Sequence, residues 1–163
     1  IVVIGFDEES SGLLYAKKKS INSLLISEGG DREELTFNVV NAINSVNPDV
    51  VILLFHRLLG RYYFDKVKVP TLNIHPSILP SFTGFRAVDR AIQHGVRVTG
   101  VTVHLVDESV DGGPIIIQAI QPIPQMVTTY SELLPSLNNL YCLCIIQCLL
   151  WIENKQFEII NGK

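Results

Sequence analysis

Asn73-Ile74-His75-Pro76-Ser77-Ile78-Leu79-Pro80 is the stretch of this chain on which its interpretation depends. The apolar run Thr71–Ile74 predicts a β-strand, and side chains two residues apart on a strand point to the same face. Asn73 and His75 are therefore expected side by side at the carboxyl end of this strand. The prolines fix the backbone after it and favour extended residues before them. The octapeptide is typical either of a capped strand with a hydrogen-bonded histidine or of a chemical site.

Strands and helices alternate before this stretch. The β-branched run Ile1–Gly5 predicts a strand buried on both faces. Asp31 begins a predicted helix, and Pro48 ends it. The predicted strands are 1–5, 23–26, 49–54 and 71–75, and the predicted helices are 13–19, 31–47 and part of 55–68. The apolar stripe of the second helix consists of Leu35, Val39, Ala42, Ile43 and Val46. This order predicts an α/β fold with an open, mostly parallel twisted sheet and helices on both faces.

The second half of the chain predicts two longer strands between two helices. A helix over 86–94 is expected to end at Gly95, in the C′ position. Thr129 is expected to cap a final helix that runs to about residue 152, and Pro135 restricts its start. The two strands are predicted at 98–106 and 115–123, with a closing strand at 157–160 and a turn at 161–162.

The composition is that of a globular protein, and we interpret residues 1–163 as a single domain. The net charge of −3 gives no electrostatic basis for binding nucleic acid. The apolar run Leu140–Ile152 is too short to span a bilayer. Three cysteines close together, with no histidine nearby, predict buried thiols in a reducing compartment rather than disulfides or a metal site. We therefore expect a cytoplasmic monomer or homodimer that acts on small molecules, or a plastid protein if a eukaryotic transit peptide precedes Ile1.

A second polar stretch, Asp111-Gly112-Gly113-Pro114, lies between the two long strands. Its glycines allow a tight backbone that approaches a ligand closely. An aspartate here is either an ordinary turn residue or a partner of His75, whose protonated form it favours. An amide that stabilises an oxyanion, a histidine that moves a proton and an aspartate that orients it suit acyl chemistry. Because no G-x-S-x-G nucleophile elbow occurs, direct transfer between two bound substrates fits better than a covalent acyl-enzyme.

Four segments together resemble the phosphoribosylglycinamide formyltransferases, a family of folate-dependent transformylases. They are Leu72–Pro80, the loop around Gly84, Gly100–Val106 and Asp111–Ile116. The resemblance is dense from about residue 49 to residue 122. It implies a Rossmann-like formyltransferase fold. The His-Pro-Ser and Asp-Gly-Gly-Pro forms favour this family over methionyl-tRNA formyltransferases and formyltetrahydrofolate hydrolases.

The resemblance implies a reaction in purine (IMP) biosynthesis. The amine of glycinamide ribonucleotide would attack the formyl carbon of 10-formyltetrahydrofolate, the co-substrate, and form a tetrahedral intermediate. By resemblance, Asn73 and His75 stabilise its oxyanion, and His75 also donates a proton. Asp111 orients His75 and takes part in proton transfer through water.

Binding residues are also implied by the resemblance. The folate-binding positions form two loops, Phe55, His56, Arg57, Leu58 and Leu59 in the first and Val106, Asp107, Glu108, Ser109 and Val110 in the second. The ribonucleotide positions are Arg32, Pro76 and Ser77, and no metal is implied. The residues themselves leave alternatives open, because leucines of the first loop are also typical of a core and Arg32 of a solvated helix start. His104 matches a family position and is equally readable as a hydrogen-bonded sheet histidine.

Two parts of the chain depart from the family pattern. Ile1–Gly5 matches the second strand of the family, so we expect the chain to be incomplete at its N-terminus, without the first strand, the phosphate-binding loop and the first helix. Leu140–Leu143 replaces an acidic segment that contacts the substrate in the family. We therefore expect weak affinity for glycinamide ribonucleotide. The alternative functions are another folate-dependent formyltransferase, a formyltetrahydrofolate hydrolase relative or a non-catalytic folate-binding protein.

Overall fold

The computed structural model describes residues 1–54 and 57–156, which divide into two units. The first unit comprises residues 1–51 and 57–69, and the second comprises residues 52–54 and 70–156 of the described chain. Each unit carries a sheet, with two strands in the first and four in the second. The interpretation of the whole chain as a single domain stays a prediction.

The first unit begins with the predicted strand–helix–strand order. Strand β1 (Val2–Gly5) pairs in parallel with β2 (Asn22–Leu25), and helix α1 (Ser11–Lys18) connects them. The prediction that β1 is buried on both faces is wrong, because its residues are half-buried. In this two-stranded sheet β1 has a neighbour on one edge, which leaves more of it accessible than a central strand would be.

Helix α2 (Arg32–Val46) begins where the sequence predicts, after Asp31. The Asp31 carboxylate accepts hydrogen bonds from the backbone N–H groups of Glu33 and Glu34, at 2.9 Å each. These bonds satisfy two of the donors that a helix start leaves without intrahelical partners. The capping residue predicted from the sequence is thus confirmed.

The apolar stripe of α2 provides much of the core of the first unit. Asn47 ends α2 in the left-handed conformation, directly before Pro48. Helix α3 (Arg61–Lys66) follows later in the chain and completes the unit, and Tyr63 of α3 is buried. Of the predicted stripe, Leu35, Val39, Ala42 and Ile43 are buried and Val46 is half-buried.

The second unit is built on a sheet with the strand order β3–β4–β5–β6. Helix α4 precedes β5, and helix α5 follows β6 and packs on β5 and β6. Gly95 follows α4 with φ +70°, as the predicted C′ position requires. The elements are β3 (Val51–Leu53, of which Val51 belongs to the first unit), β4 (Thr71–His75), α4 (Ala87–Gln93), β5 (Val98–Leu105), β6 (Ile115–Pro122) and α5 (Tyr130–Glu153).

The pairing direction changes along the chain. The alternation of strands and helices in the sequence predicts parallel pairing for the strands up to β4, and the parallel β1–β2 pair agrees with this prediction. Strands β4 and β5 pair antiparallel, with Asn73 opposite His104 and His75 opposite Thr102. Strands β5 and β6 also pair antiparallel, with an irregularity between Val103 and His104. The nine-residue loop 106–114 between β5 and β6 has no helix, and such a connection suits antiparallel neighbours.

Helix α5 is longer than the apolar run seen in the sequence. It has 24 residues, continues through Pro135 and is long and apolar enough to cross a membrane by length and composition alone. About a fifth (22%) of its most apolar window is buried. Its buried residues are Leu133, Leu137, Cys144 and Cys148. The prediction of buried thiols is wrong for Cys142, which is exposed because it lies on a different face of the helix from the other two cysteines. The expectation that Pro135 restricts the start of α5 is wrong, because the helix begins five residues before it.

The closing strand predicted at 157–160 and the turn at 161–162 lie outside the described residues.

Candidate active site

Three polar side chains meet on one face of β4 and β5. Asn73 and His75 lie two residues apart on β4, and His104 is the residue opposite Asn73 on β5. The Asn73 Nδ2 atom lies 3.2 Å from His104 Nε2. The His104 Nδ1 atom lies 2.8 Å from the backbone oxygen of Leu105, to which an N–H at this position donates. Asn73 and His75 lie on one face of β4 as the sequence predicts, and the pairing of β4 with β5 places His104 on the same face.

Asp111 reaches this group from the loop between β5 and β6. Its Oδ2 atom lies 3.2 Å from His75 Nδ1, and its Oδ1 atom lies 3.7 Å from His104 Nε2. Oδ2 also accepts a hydrogen bond of 2.6 Å from the backbone N–H of Gly84. The backbone of Asp111 has φ +53°, in the left-handed region that aspartate tolerates better than most residues. The predicted pairing of His75 with Asp111 is present in the geometry.

The glycines after Asp111 allow this loop to pass close to β5. A Cβ added to Gly113 would lie 1.9 Å from the backbone oxygen of Leu105, so any side chain there would displace the backbone. The backbone N–H of Leu105 donates to the oxygen of Pro114 at 2.9 Å. The close approach that the Gly-Gly pair predicts is therefore made to the chain's own strand.

His75 is buried, with 5% of its surface exposed. Its Nε2 atom lies 2.8 Å from the backbone oxygen of Phe82, so both ring nitrogens face oxygen atoms. Burial lowers the pKa of His75 below its ordinary value, because it disfavours the charged imidazolium. The Phe82 carbonyl and the Asp111 carboxylate raise this pKa, and the charges of His104 and Arg90 lower it further. The sequence predicted the effect of Asp111 and missed the larger effect of burial.

Asp111 stays ionised despite its partial burial. Burial raises its pKa, but hydrogen bonds from His104 and from the Gly84 N–H, together with the nearby charge of His75, outweigh that effect. The net result is a pKa below the ordinary aspartate value. Near neutral pH the site therefore holds a neutral imidazole beside a carboxylate.

A polar network around the buried Thr102 side chain fixes the loop that follows His75. The Thr102 hydroxyl donates to the Ser77 oxygen at 2.7 Å and accepts from the Leu79 N–H at 3.1 Å. The Gln118 amide donates to Thr102 Oγ1 at 3.0 Å and to the Leu79 oxygen at 2.9 Å. The same loop presents the Phe82 carbonyl to His75 and the Gly84 N–H to Asp111. Sequence reasoning missed this network, since only a threonine at alternating strand spacing from His104 pointed to it.

The predicted ribonucleotide positions in this unit have other contacts in the structure. Ser77 is fully buried, and its hydroxyl donates to the Ser81 oxygen at 2.6 Å. Pro76 is half-buried, and its oxygen accepts from the Thr99 hydroxyl at 3.5 Å. The role of Pro76 and Ser77 in binding stays a prediction.

The second predicted folate loop directly precedes Asp111. Val106 is half-buried, and the positions from Asp107 to Val110 are exposed. Asp107 accepts a hydrogen bond of 2.8 Å from the Ser109 N–H and a further one from the Ser109 hydroxyl. This self-bonded, exposed turn is available to a ligand.

The first predicted folate loop belongs to the first unit, from Arg57 onward, as does Arg32. Leu58 is exposed and Leu59 is buried. The Arg57 guanidinium pairs with Glu28 at 2.6 Å, and the Arg32 guanidinium donates to the Leu59 oxygen. Phe55 and His56 lie outside the described residues.

The arrangement suits proton transfer and oxyanion stabilisation. Asn73 and His75 supply N–H groups, and a carboxylate is placed to balance a proton on the imidazole. In residues 1–54 and 57–156, no group of three or more His, Cys, Asp or Glu side chains is placed to hold a metal ion.

Comparison with known sequences gives a consistent picture. The profile of the formyl transferase family matches residues 1–139. The chain is 35% identical over 127 residues to the phosphoribosylglycinamide formyltransferase of Mycobacterium tuberculosis. That alignment covers 76% of this chain and 58% of the relative, so the chain matches little more than half of that protein's length.

Solved structures resemble the whole described fold. The phosphoribosylglycinamide formyltransferase from Anaplasma phagocytophilum superposes with a TM-score of 0.87 at 28% identity, over 99% of this chain and 78% of the other. The enzyme of that name from Bacillus halodurans gives a TM-score of 0.77 at 30% identity, over 85% and 72%. The predicted α/β formyltransferase fold is confirmed.

Proposed function

The chain belongs to the formyl transferase family, and we propose that it transfers a formyl group from 10-formyltetrahydrofolate to the amine of glycinamide ribonucleotide, in purine (IMP) biosynthesis. The observation that carries the proposal is the convergence of Asn73, His75 and Asp111, with His75 Nδ1 3.2 Å from Asp111 Oδ2. The names of the relatives support the choice of acceptor. The sequence resemblance described above supports the choice of donor.

The proposed reaction is a direct acyl transfer. The amine nitrogen forms a bond to the formyl carbon, and negative charge gathers on the formyl oxygen as the C=O bond opens. Asn73 and His75 are assigned as donors to that oxygen, His75 by exchanging its contact with the Phe82 oxygen for the formyl oxygen, and one such donor contributes about 3 kcal/mol to catalysis. The bond from the formyl carbon to N10 of the folate then breaks. The proton lost by the amine reaches N10 through His75 and water, which leaves a formamide and tetrahydrofolate.

Asp111 acts on this reaction through charge. Its low pKa keeps it ionised, so it is a weak base and a lasting negative charge. This charge stabilises His75 while the imidazole carries an extra proton, and the contact at Nδ1 fixes the ring orientation. The buried position of His75 makes each of these interactions stronger than it would be in water.

We also assign the binding roles as part of this proposal. Folate contacts are assigned to residues 55–59 and 106–110, and ribonucleotide contacts to Arg32, Pro76 and Ser77. The exposed turn before Asp111 and the position of Pro76 and Ser77 directly after His75 support the assignments in the second unit. The three cysteines are free thiols, which supports a reducing, cytoplasmic location for an enzyme of small molecules.

Formyl transfer with purified protein tests the function. The assay supplies 10-formyltetrahydrofolate and glycinamide ribonucleotide and follows the deformylated folate. We expect His75→Ala and Asp111→Asn each to lower kcat/KM by about 10²-fold to 10⁴-fold, the range for loss of acid–base catalysis. Lys18→Ala, a change at an exposed residue of α1, should leave the rate unchanged. Wild-type rates in both site variants would refute the mechanism, and folate binding without transfer would indicate a non-catalytic relative.

A further inference from the structure

Thr36 is a buried hydroxyl residue that no part of the proposed reaction explains. It lies on α2 with none of its surface exposed. Its Oγ1 atom donates to the Arg32 oxygen, one turn back, at 2.6 Å. The same atom accepts a hydrogen bond of 2.7 Å from the backbone N–H of Gly60. The hydrogen bond to Arg32 is a local contact within α2. The hydrogen bond from Gly60 links α2 to a loop that is distant in the sequence.

That loop, residues 57–60, is bonded to the region around α2 at three points. The Arg57 guanidinium pairs with Glu28 at 2.6 Å. The Arg32 guanidinium donates to the Leu59 oxygen, and the Gly60 N–H donates to Thr36. Of these contacts, the one to Thr36 is buried and the Arg57 pair is partly exposed. Because exposed ion pairs contribute little, the buried hydrogen bond to Thr36 constrains the loop more than the Arg57 pair does, alongside the part-buried Arg32 contact.

The surroundings of Gly60 limit how the loop can shift. Gly60 is buried and immediately precedes α3, whose Tyr63 N–H donates to the Gly60 oxygen at 3.1 Å. A Cβ added to Gly60 would lie 2.8 Å from Glu33 Oε1, so Gly60 lies beside the end of the Glu33 side chain of α2. The N–H of Gly60 therefore depends on Thr36 for its partner, since a valine there would leave a buried donor unsatisfied.

We propose that Thr36 is a positioning residue for the formyl-donor site, which fixes the backbone of residues 57–60 on α2 so that the loop is held ready for the folate. This inference rests on the proposed function, which assigns residues 57–59 to folate binding. Thr36 acts through the loop and is not itself in contact with the donor. Preorganising a binding loop strengthens binding because less order has to be gained when the ligand arrives.

Binding of 10-formyltetrahydrofolate, measured by calorimetry with the full chain, tests the inference. Thr36→Val keeps the shape of the side chain and removes the hydroxyl, and Thr36→Ser keeps the hydroxyl. We expect Thr36→Val to weaken binding about fivefold or more, the factor that corresponds to the net loss of one hydrogen bond. Thr36→Ser should bind nearly as wild type. In the transfer assay, Thr36→Val should raise KM for the folate and leave kcat nearly unchanged.

A matched control separates positioning from general destabilisation. Val40 is fully buried on the same helix, and Val40→Ala weakens the packing of α2 without touching a hydroxyl. We expect Val40→Ala to lower stability and to bind the folate as wild type. Equal binding by Thr36→Val and wild type, or equal weakening by Val40→Ala and Thr36→Val, would overturn the inference.

Amide hydrogen exchange distinguishes failure of the inference from failure of the proposed function. If the wild-type chain does not bind the folate, the proposed function fails and the donor role of Thr36 fails with it. Exchange at the Gly60 amide then reports on the loop alone. Faster exchange in Thr36→Val than in Val40→Ala supports the positional part of the inference, and equal exchange refutes that part as well.

Discussion

His104 connects the two ends of the candidate site. It lies opposite Asn73 on the neighbouring strand, and its Nε2 atom lies 3.2 Å from Asn73 Nδ2 and 3.7 Å from Asp111 Oδ1. Among the effects that lower the pKa of Asp111, the hydrogen bond from His104 is the first. The strand position of His104 therefore gives it both contacts, one within the sheet and one with Asp111.

Replacing His104 tests its effect on Asp111. His104→Phe removes the hydrogen bond and the nearby positive charge, so we expect the pKa of Asp111 to rise, and the pKa of His75 with it, since the charge of His104 lowers both. The acid limb of the kcat/KM profile should then move to higher pH, with a larger loss of rate at low pH than at high pH. His104→Gln keeps an N–H donor and should shift the limb less. The measurement is the pH dependence of formyl transfer, and identical acid limbs in His104→Phe and wild type would contradict the assignment.

The placement of Asn73 and His75 on one strand face was predictable from the sequence, and the hydrogen bonds that fix loops 57–60 and 76–84 were not. Asn73 and His75 follow from the strand period, because that period alone places them on one face. Thr36 and Thr102 could not be found in this way. Their partners are Gly60 for the first, and Leu79 and Gln118 for the second. These partners come from other elements, and hydrogen bonds across the fold leave no local sequence pattern.

Helix α2 carries both its N-terminal cap and the contacts that hold loop 57–60. Its first turns carry the Asp31 cap, Arg32 and Thr36, and the last two contact residues 59–60. The capping hydrogen bonds to Glu33 and Glu34 keep the first turn formed. Fraying of this turn would therefore loosen the loop contact as well.

A substitution at the cap tests this element. Asp31→Ala removes both capping hydrogen bonds, and we expect the free energy of unfolding to fall by about 1 kcal/mol. Asp31→Asn keeps a capping oxygen and should retain most of the stability. Urea denaturation followed by circular dichroism measures both. If the asparagine variant is as unstable as the alanine variant, the charge at the helix start matters rather than the cap.

Element boundaries show where local rules fail. Thr129 predicts the observed start of α5 at Tyr130, but the restriction expected from Pro135 is wrong, because the helix continues through the proline. A proline at this position removes one backbone hydrogen bond, and burial of Leu133 and Leu137 on either side of it offsets that cost. Tertiary packing thus keeps the helix formed at a residue that propensity alone disfavours there.

Over the whole molecule, the buried His75–Asp111 pair makes stability depend on pH in two separate windows. The pKa of His75 is lower in the folded state than its ordinary value of 6.5. The unfolded chain then takes up a proton at a higher pH than the folded chain does. The stabilisation that His75 contributes is therefore complete above pH 6.5, and it is lost as the pH falls from 6.5 towards the folded pKa of His75.

The second window belongs to Asp111. Its folded pKa lies below the ordinary value of 3.8, so the unfolded chain again binds its proton first. The stabilisation from Asp111 is present above pH 3.8 and is lost as the pH falls through the folded pKa. Both groups therefore lower the free energy of unfolding as the solution becomes more acidic, but they do so in different pH ranges.

Two variants separate these windows. We expect the free energy of unfolding of the wild type to fall below pH 6.5 and to fall further below pH 3.8. His75→Gln should flatten the curve in the first window, because the glutamine amide does not titrate. Asp111→Asn should flatten the second window and lower the folded pKa of His75 further, because the carboxylate that raises it is gone. Urea denaturation at a series of pH values measures the curves, and parallel curves for wild type and His75→Gln between pH 7 and 5 would show that His75 is not the group that titrates there.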